Sequence, residues 1–117
     1  MLFRSRELCL QENIGEVYLS AVLIGEGVDA RKFGFDDNIE FPPHKVLLKD
    51  VTEDHIKYND LYNGTVFDYT QVVINELNKS IEFPRMRGVM PSWDNEARKP
   101  GRGHTYHGSN PELYKLW

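Results

Sequence analysis

The stretch Val17-Tyr18-Leu19-Ser20-Ala21-Val22-Leu23-Ile24 is the longest apolar run of the chain and decides its fold class. A short, nearly continuous apolar run is typical of a strand buried on both faces, as in a parallel sheet covered by helices. Before it, residues 2–13 repeat their apolar positions after two helical turns, and Gly15 supplies a C-terminal stop. Helix, glycine turn and buried strand form the second half of a βαβ unit, so the sequence predicts an α/β fold.

The segment after this run predicts one short strand and a long irregular excursion. Residues 38–41 (Asn-Ile-Glu-Phe) suit a short strand that is stopped by Pro42-Pro43 and followed by His44. Residues 45–67 have no clear period, and the only helix expected there is a short one near residues 53–58.

A helix is predicted next. Residues 68–71 (Asp-Tyr-Thr-Gln) resemble a capping box, in which Asp68 accepts from first-turn amides and Gln71 reaches back. The apolar positions that this helix places on one face are Tyr69, Val72, Val73 and Leu77.

The last third of the chain predicts a strand, a loop and a second helix. Residues 85–90 suit a strand closed by Pro91, and a loop rich in Gly, Arg and Pro runs from 92 to 110. Residues 109–112 (Ser-Asn-Pro-Glu) form a second capping signature with proline in the first turn, opening a helix over 112–117.

Composition limits the class of protein. A chain of 117 residues is long enough for one domain and not for two, and its 40% hydrophobic and 27% charged residues lie in the ordinary globular range. Its net charge of −4 argues against a nucleic-acid binder, which needs dense Lys and Arg. Cys9 is the single cysteine, the N-terminus has no signal-peptide pattern, and the longest apolar run is too short for a bilayer. We therefore expect a reducing, cytoplasmic setting.

Residues 34–44 form the first candidate site. Glu40 and His44 lie just beyond a predicted strand, where a carboxylate and an imidazole suit sugar hydroxyls or acid–base work. The same side chains equally suit the capping of backbone groups in a loop.

Residues 93–98 form the second candidate site. The Trp93 indole suits stacking on the apolar face of a sugar ring, and the polar contacts would come from Asp94, Asn95 and Arg98. An ordinary turn, with Asp94 and Asn95 bonding local amides and Trp93 filling a gap, fits the same residues.

Residues 98–109 form the third cluster. Basic side chains outnumber acidic ones between Arg85 and Arg102, which suits a phosphate or diphosphate or simply a solvated surface. His104 and His107 lie three residues apart in a Gly-rich segment, where no helix aligns them, so we predict no metal site.

Three stretches, in this order, resemble the WbsX glycosyltransferase family of bacterial polysaccharide biosynthesis. They are Gly-Phe-Asp through Glu-Phe-Pro-Pro-His at 34–44, Arg-Gly-Val-Met-Pro-Ser-Trp-Asp-Asn with Arg98 at 87–98, and His-Gly-Ser-Asn-Pro-Glu-Leu-Tyr at 107–114. Residues 15–19 fit the strand that precedes them, so the likeness covers nearly the whole chain. Glu96, where the family usually has Thr or Ser, and Ser92, where Gly is common, depart from the pattern.

The resemblance implies a fold similar to family 99 glycoside hydrolases, which are (β/α)8 barrels. A full barrel needs roughly 250 residues, so residues 1–117 are expected to be a single partial domain, a middle-to-late fragment of a TIM-like barrel with about three parallel strands and flanking helices. The family's N-terminal strands and its late segment with two carboxylates are not among these residues. Catalytic carboxylates are accordingly expected outside them, and the fragment alone is expected to be inactive.

The function that the resemblance implies is glycosyl transfer in the synthesis of lipopolysaccharide O-antigen or capsule, with a nucleotide-sugar or glycan as substrate and no cofactor. The residues expected to bind substrate are Glu40, His44, Trp93, Asp94, Asn95, Arg98 and His107. A glycoside hydrolase acting on mannose-like linkages and a non-catalytic carbohydrate-binding remnant remain alternatives.

Overall fold

A computed structural model describes residues 2–23, 27–44, 46–55 and 61–117. The chain forms two compact units. Unit 1 consists of residues 1–44 and 81–88, and unit 2 consists of residues 45–80 and 89–117.

Unit 1 is built on a pair of parallel strands. Helix α1 (Leu2–Gln11) precedes strand β1 (Ser20–Leu23), and a 3-10 helix (Ala30–Phe33) leads into strand β2 (Asp37–Glu40). The strands pair in the register Ser20↔Asp37 to Leu23↔Glu40, and Met86 adds a parallel bridge to Ile39 on β2. The strand expected over 85–90 is therefore reduced to this single bridge.

Helix α1 ends at Gln11, four residues before Gly15, the glycine expected to stop it. Asn13 has the left-handed φ of 55°, and the Ile14 amide donates to the Cys9 carbonyl at 2.9 Å. The Asn13 amide bonds Leu10 at 3.2 Å, which completes a Schellman motif. Asparagine tolerates this backbone conformation well, so Asn13 terminates the helix before Gly15 is reached.

Asn38 is the polar centre of unit 1 and is 0% exposed. Its Oδ1 accepts from the Ala30 amide at 2.8 Å, and its Nδ2 donates to Asp29 Oδ1 at 3.0 Å and to the Pro84 carbonyl at 3.2 Å. One side chain thus joins β2 to the 3-10 helix and to residue 84.

Asn38→Ala should loosen unit 1, because it removes three hydrogen bonds, one of them from the amide of buried Ala30, at a cost of about 2 kcal/mol or more. We expect faster hydrogen exchange in peptides that cover residues 29–40, measured by mass spectrometry. Gln11→Ala, at an exposed position on α1, is the control. Equal exchange in both variants would contradict the role given to Asn38.

Asp36 links α1 to the start of β1. Its Oδ2 accepts from the Leu19 amide and from an Arg6 guanidinium nitrogen, both at 2.7 Å. The Leu19 amide and then Arg6 lower the pKa of Asp36 from its ordinary 3.8. A carboxyl with a lowered folded-state pKa stabilises the fold above its unfolded value, and this contribution disappears as the pH falls through the folded value.

Asp36→Asn should therefore destabilise unit 1 at pH 7, and the difference from wild type should shrink below pH 3.8. Thermal unfolding of both proteins across this range measures the effect. Glu12→Gln, at an exposed position directly after α1, is the control. A difference that stays constant from pH 7 to pH 3 would rule out the carboxylate as its source.

Unit 2 is built on a second pair of parallel strands. Its elements in chain order are α2 (Thr52–His55), β3 (Thr65–Asp68), α3 (Tyr69–Leu77), β4 (His104–His107) and α4 (Pro111–Leu116). Strands β3 and β4 pair from Thr65↔His104 to Asp68↔His107. Single antiparallel bridges, Asp50↔Phe67 and Asp94↔Thr105, flank the pair.

Both strands of this sheet lie where the sequence predicted irregular structure. The first three residues of β3 fall in the excursion over 45–67, and β4 falls in the loop over 92–110. Their partners are far apart along the chain, and four residues are too few to show a period. The short helix expected near 53–58 exists as α2, and residues 56–60 lie outside the described part.

Helix α3 begins as predicted, with one difference in its cap. Asp68 Oδ1 accepts from the amides of Thr70 at 2.9 Å and Gln71 at 3.3 Å. The Gln71 side chain does not reach back but donates to Asn75 at 2.9 Å, and the Asp68 amide bonds the Lys49 carbonyl at 3.0 Å instead. The capping box is therefore half formed.

Among the described residues of unit 2, one core cluster consists of five buried side chains: Tyr69, Val72, Val73, Met90 and Tyr106. The predicted apolar face of α3 is confirmed except at Leu77, which is 48% exposed, while its neighbour Glu76 is 3% exposed. Lys79 donates to both Glu76 carboxylate oxygens at 3.1 Å, which allows the carboxylate to be buried.

Helix α4 is confirmed and begins at Pro111. Asn110 caps it by accepting from the Leu113 amide at 2.9 Å. Taken together, the described residues form a mixed α/β structure with two small parallel sheets and four α-helices, which confirms the α/β class. Among the helices of this part of the chain, none has the length and apolar character to span a membrane.

Candidate functional site

Glu40 lies at the end of β2 and holds two arginines. Its Oε1 is 2.8 Å from Arg85 Nε, and its Oε2 is 2.9 Å from Arg87 Nε. The Gly88 amide donates to Oε2 at 3.2 Å. The side chains of Glu40 and Arg85 are each 9% exposed, so this carboxylate is a largely buried anchor for guanidinium groups.

The backbone explains why two arginines meet one carboxylate. The Glu40 amide donates to the Met86 carbonyl at 3.0 Å, and the Met86 amide donates to the Asn38 carbonyl at 2.8 Å. Alternate residues of an extended segment share a face, so Arg85 and Arg87 both lie on the side opposite to Met86. The pairing spans more than forty residues of sequence, which is why spacing alone did not reveal it.

His44 is an exposed residue of unit 1. Its ring stacks on Phe41 with centroids 5.6 Å apart and an interplanar angle of 15°. The His44 amide donates to the Phe41 carbonyl at 3.0 Å, which closes the turn through the two prolines. The imidazole is thus held by an aromatic neighbour and remains open to solvent.

The Trp-Asp-Asn segment of unit 2 runs along the edge of β4. The Tyr106 amide donates to the Trp93 carbonyl at 3.0 Å, and the His104 amide donates to Asn95 Oδ1 at 2.6 Å. Asp94 is exposed, and its Oδ1 accepts from the Glu96 amide at 2.7 Å. Trp93 is half-buried against the core of unit 2.

Glu96 shapes the loop that follows, a role that the sequence analysis did not foresee. Its Oε2 accepts from the Gly103 amide at 3.0 Å, and its Oε1 accepts from the Gly101 amide. Gly103 is buried so closely against Glu96 that an added Cβ would lie 2.8 Å from the Glu96 Cα. An acidic residue ahead of a glycine-rich segment was the available signal, because glycine amides are accessible donors.

Arg98 and His107 lie at two other positions of unit 2. Arg98 is exposed, and its amide donates to the Asn95 carbonyl at 3.0 Å. His107 ends β4. The centroid of its ring lies 4.0 Å from the centroid of the His55 ring, and the interplanar angle is 43°. Within the described ranges, no three His, Cys, Asp or Glu side chains form a group that could hold a metal ion.

The residues predicted to bind substrate therefore fall into separate arrangements. Glu40 and His44 belong to unit 1. The Trp93–Asn95 segment, Arg98 and His107 belong to unit 2, where the segment is joined to β4. In unit 2 the backbone of the segment is held at the edge of β4. The side chains there that could contact a ligand are an indole, a carboxylate, an amide and a guanidinium.

Comparison with known proteins identifies the class. The family model described as "Glycosyltransferase WbsX" matches residues 1–117, and the chain belongs to this family. Two curated relatives, each named "Uncharacterized protein WxcX", come from two strains of Xanthomonas campestris pv. campestris and are 34% and 33% identical over 115 residues. The alignment covers 97% of this chain and 16% of each relative, so the chain spans a small part of their length. No solved structure matches.

Glu96→Ala should open the loop over 96–103, because each lost hydrogen bond to a charged acceptor costs about 1.5–3 kcal/mol. We expect limited trypsin digestion to cut after Arg98 and Arg102 about tenfold faster than in wild type. Glu53→Ala, at an exposed position on α2, should leave the rate unchanged. Unaltered cleavage in Glu96→Ala would show that other contacts close the loop.

Proposed function

We propose that the protein to which this chain belongs transfers sugar residues in the synthesis of a bacterial surface polysaccharide, such as O-antigen or capsule. Membership of the WbsX glycosyltransferase family supports the reaction class. In this proposal the β1–β2 pair is part of a (β/α)8 barrel, and the catalytic carboxylates lie outside residues 1–117.

The observation that carries the proposal is the fixed geometry of the Trp93–Asn95 segment. Hydrogen bonds to Tyr106 and His104 hold its backbone and the Asn95 amide in place, while Asp94 remains exposed. A site that binds polyhydroxylated ligands gains from polar groups that are positioned before binding. Asp94, with Oδ1 held by the Glu96 amide, would accept hydrogen bonds from sugar hydroxyl groups.

The remaining residues have roles that follow from their neighbours. Trp93 would present the accessible part of its half-buried ring to a sugar face, and Arg98 would bind a hydroxyl or phosphate group. His107 would contact a substrate hydroxyl from the end of β4. In unit 1, Glu40 would act by orienting Arg87 toward an anionic group such as a diphosphate, and His44 would line the rim.

Asp94→Asn in the full-length protein tests the proposal. The variant keeps the size of the side chain and removes its charge, and the loss of a charged hydrogen bond should lower sugar transfer at least about tenfold. Incorporation of labelled sugar from a panel of nucleotide-sugars into polysaccharide measures the rate. Asp54→Asn, an exposed carboxylate on α2, should transfer sugar at the wild-type rate.

Two results would overturn parts of the proposal. Wild-type transfer by Asp94→Asn would remove the role of the Trp93–Asn95 segment. Release of sugars from a preformed oligosaccharide, without transfer from any activated donor, would replace the transferase with a hydrolase.

A further inference from the structure

Unit 2 contains a surface cavity of about 340 Å³ that none of the roles above uses. It is lined by Pro91, Ser109, Asn110, Pro111 and Tyr114. Its volume lies at the lower end of the range for small-molecule sites, which matches a single sugar ring better than a larger ligand. Tyr114 is 43% exposed, so its ring is available to a ligand.

One wall of the cavity is fixed by the core. The hydroxyl of the fully buried Tyr69 donates to the Met90 carbonyl at 2.7 Å, directly before Pro91. Burial, and then the nearby phenol of Tyr114, raise the pKa of Tyr69, which keeps this donor protonated across the physiological range. Pro91 is therefore held in one position relative to the core.

The opposite wall is fixed by the cap of α4. Asn110 accepts from the Leu113 amide at 2.9 Å, and the Tyr114 amide donates to the Asn110 carbonyl at 3.0 Å. Leu113 and Trp117, one turn apart, pack against the core of unit 2. Because these two residues anchor α4, Tyr114 is kept at the surface beside the cavity.

The lining has the chemistry of a carbohydrate subsite. A tyrosine ring and two proline rings offer flat apolar surfaces to the C–H groups of a pyranose, and the Ser109 hydroxyl offers a donor and an acceptor. Pro91 lies two residues before Trp93, and Ser109 lies two residues after His107, so the cavity adjoins in sequence both substrate-binding segments assigned to unit 2.

We propose that this cavity binds one pyranose ring of a glycan substrate, with Tyr114 as its stacking surface. The inference rests on the proposed function in that it takes the protein to handle sugars. It adds a second binding position, for a glycan unit other than the one at the Trp93–Asn95 segment.

Saturation-transfer NMR on the full-length protein tests this, with the methyl pyranosides of glucose, galactose, mannose and rhamnose as probes. At least one glycoside should bind, and Tyr114→Ala should weaken it about tenfold through loss of the ring. Tyr114→Phe should bind within about twofold of wild type, because stacking needs the ring and not the hydroxyl. Lys115→Ala, exposed on the same helix, is the matched control.

Tyr114→Leu keeps bulk and helix propensity without the aromatic ring, and it decides the outcome if Tyr114→Ala lowers the melting temperature. Binding lost in Tyr114→Leu and kept in Tyr114→Phe supports the subsite. Binding of no glycoside by wild type, or equal binding by Tyr114→Leu and wild type, overturns it.

Failure here is distinct from failure of the proposed function. If Tyr114→Leu leaves glycoside binding at the wild-type level and Asp94→Asn abolishes sugar transfer, the subsite is wrong and the transferase proposal stands. If Asp94→Asn transfers normally while Tyr114→Leu loses glycoside binding, the subsite stands and the role of the Trp93–Asn95 segment falls.

Discussion

Strands of four residues leave many backbone amides without a ladder partner, and side-chain oxygens accept from these amides in both units. Asp36 accepts from the amide before β1, Thr52 Oγ1 accepts from Val66 within β3 at 2.8 Å, and Asn95 accepts from the first residue of β4. A buried amide without a partner costs as much as a lost hydrogen bond, so the acceptors of the part-buried Leu19 and Val66 amides stabilise such short strands. Caps on the 3-10 helix, α3 and α4 follow the same rule.

This constraint explains which features could be predicted from sequence. The caps at Asp68 and Asn110 act on amides two or three residues away, so a local motif was enough to place α3 and α4. The register of β3 with β4 joins segments 39 residues apart, Thr65 to His104, and no local signal encodes that pairing. Apolar periodicity failed at Leu77 because Lys79 bonds the Glu76 carboxylate and allows it to take the buried position.

In the candidate site, too, features encoded within one short segment could be predicted, and contacts between segments far apart in sequence could not. The Trp93–Asn95 segment was recognisable because its residue types suit a sugar ligand, and the structure places it at the edge of β4. The partners of Glu40 were not recognisable, since Arg85 and Arg87 reach it only through the Met86 bridge. Glu40 and Asn95, both predicted to bind substrate, also make hydrogen bonds or ion pairs that hold the fold. A substitution at Glu40 or Asn95 would therefore change the fold and the chemistry together. Asp94 and Arg98 are exposed, and Asp94→Asn keeps the Oδ1 that accepts from the Glu96 amide, so fold and chemistry can be separated at these positions.

The loop closed by Glu96 has a consequence for the tolerance of the chain to changes in length. Exposed loop segments usually accept insertions, and residues 97–100 and 102 are exposed. Here one carboxylate spans the loop by bonding the amides of Gly101 and Gly103, so an inserted residue would carry one or both amides out of reach. An epitope tag or fluorescent label should therefore be placed elsewhere in unit 2, because the hydrogen bonds of Glu96 fix the length of this loop although most of it is exposed.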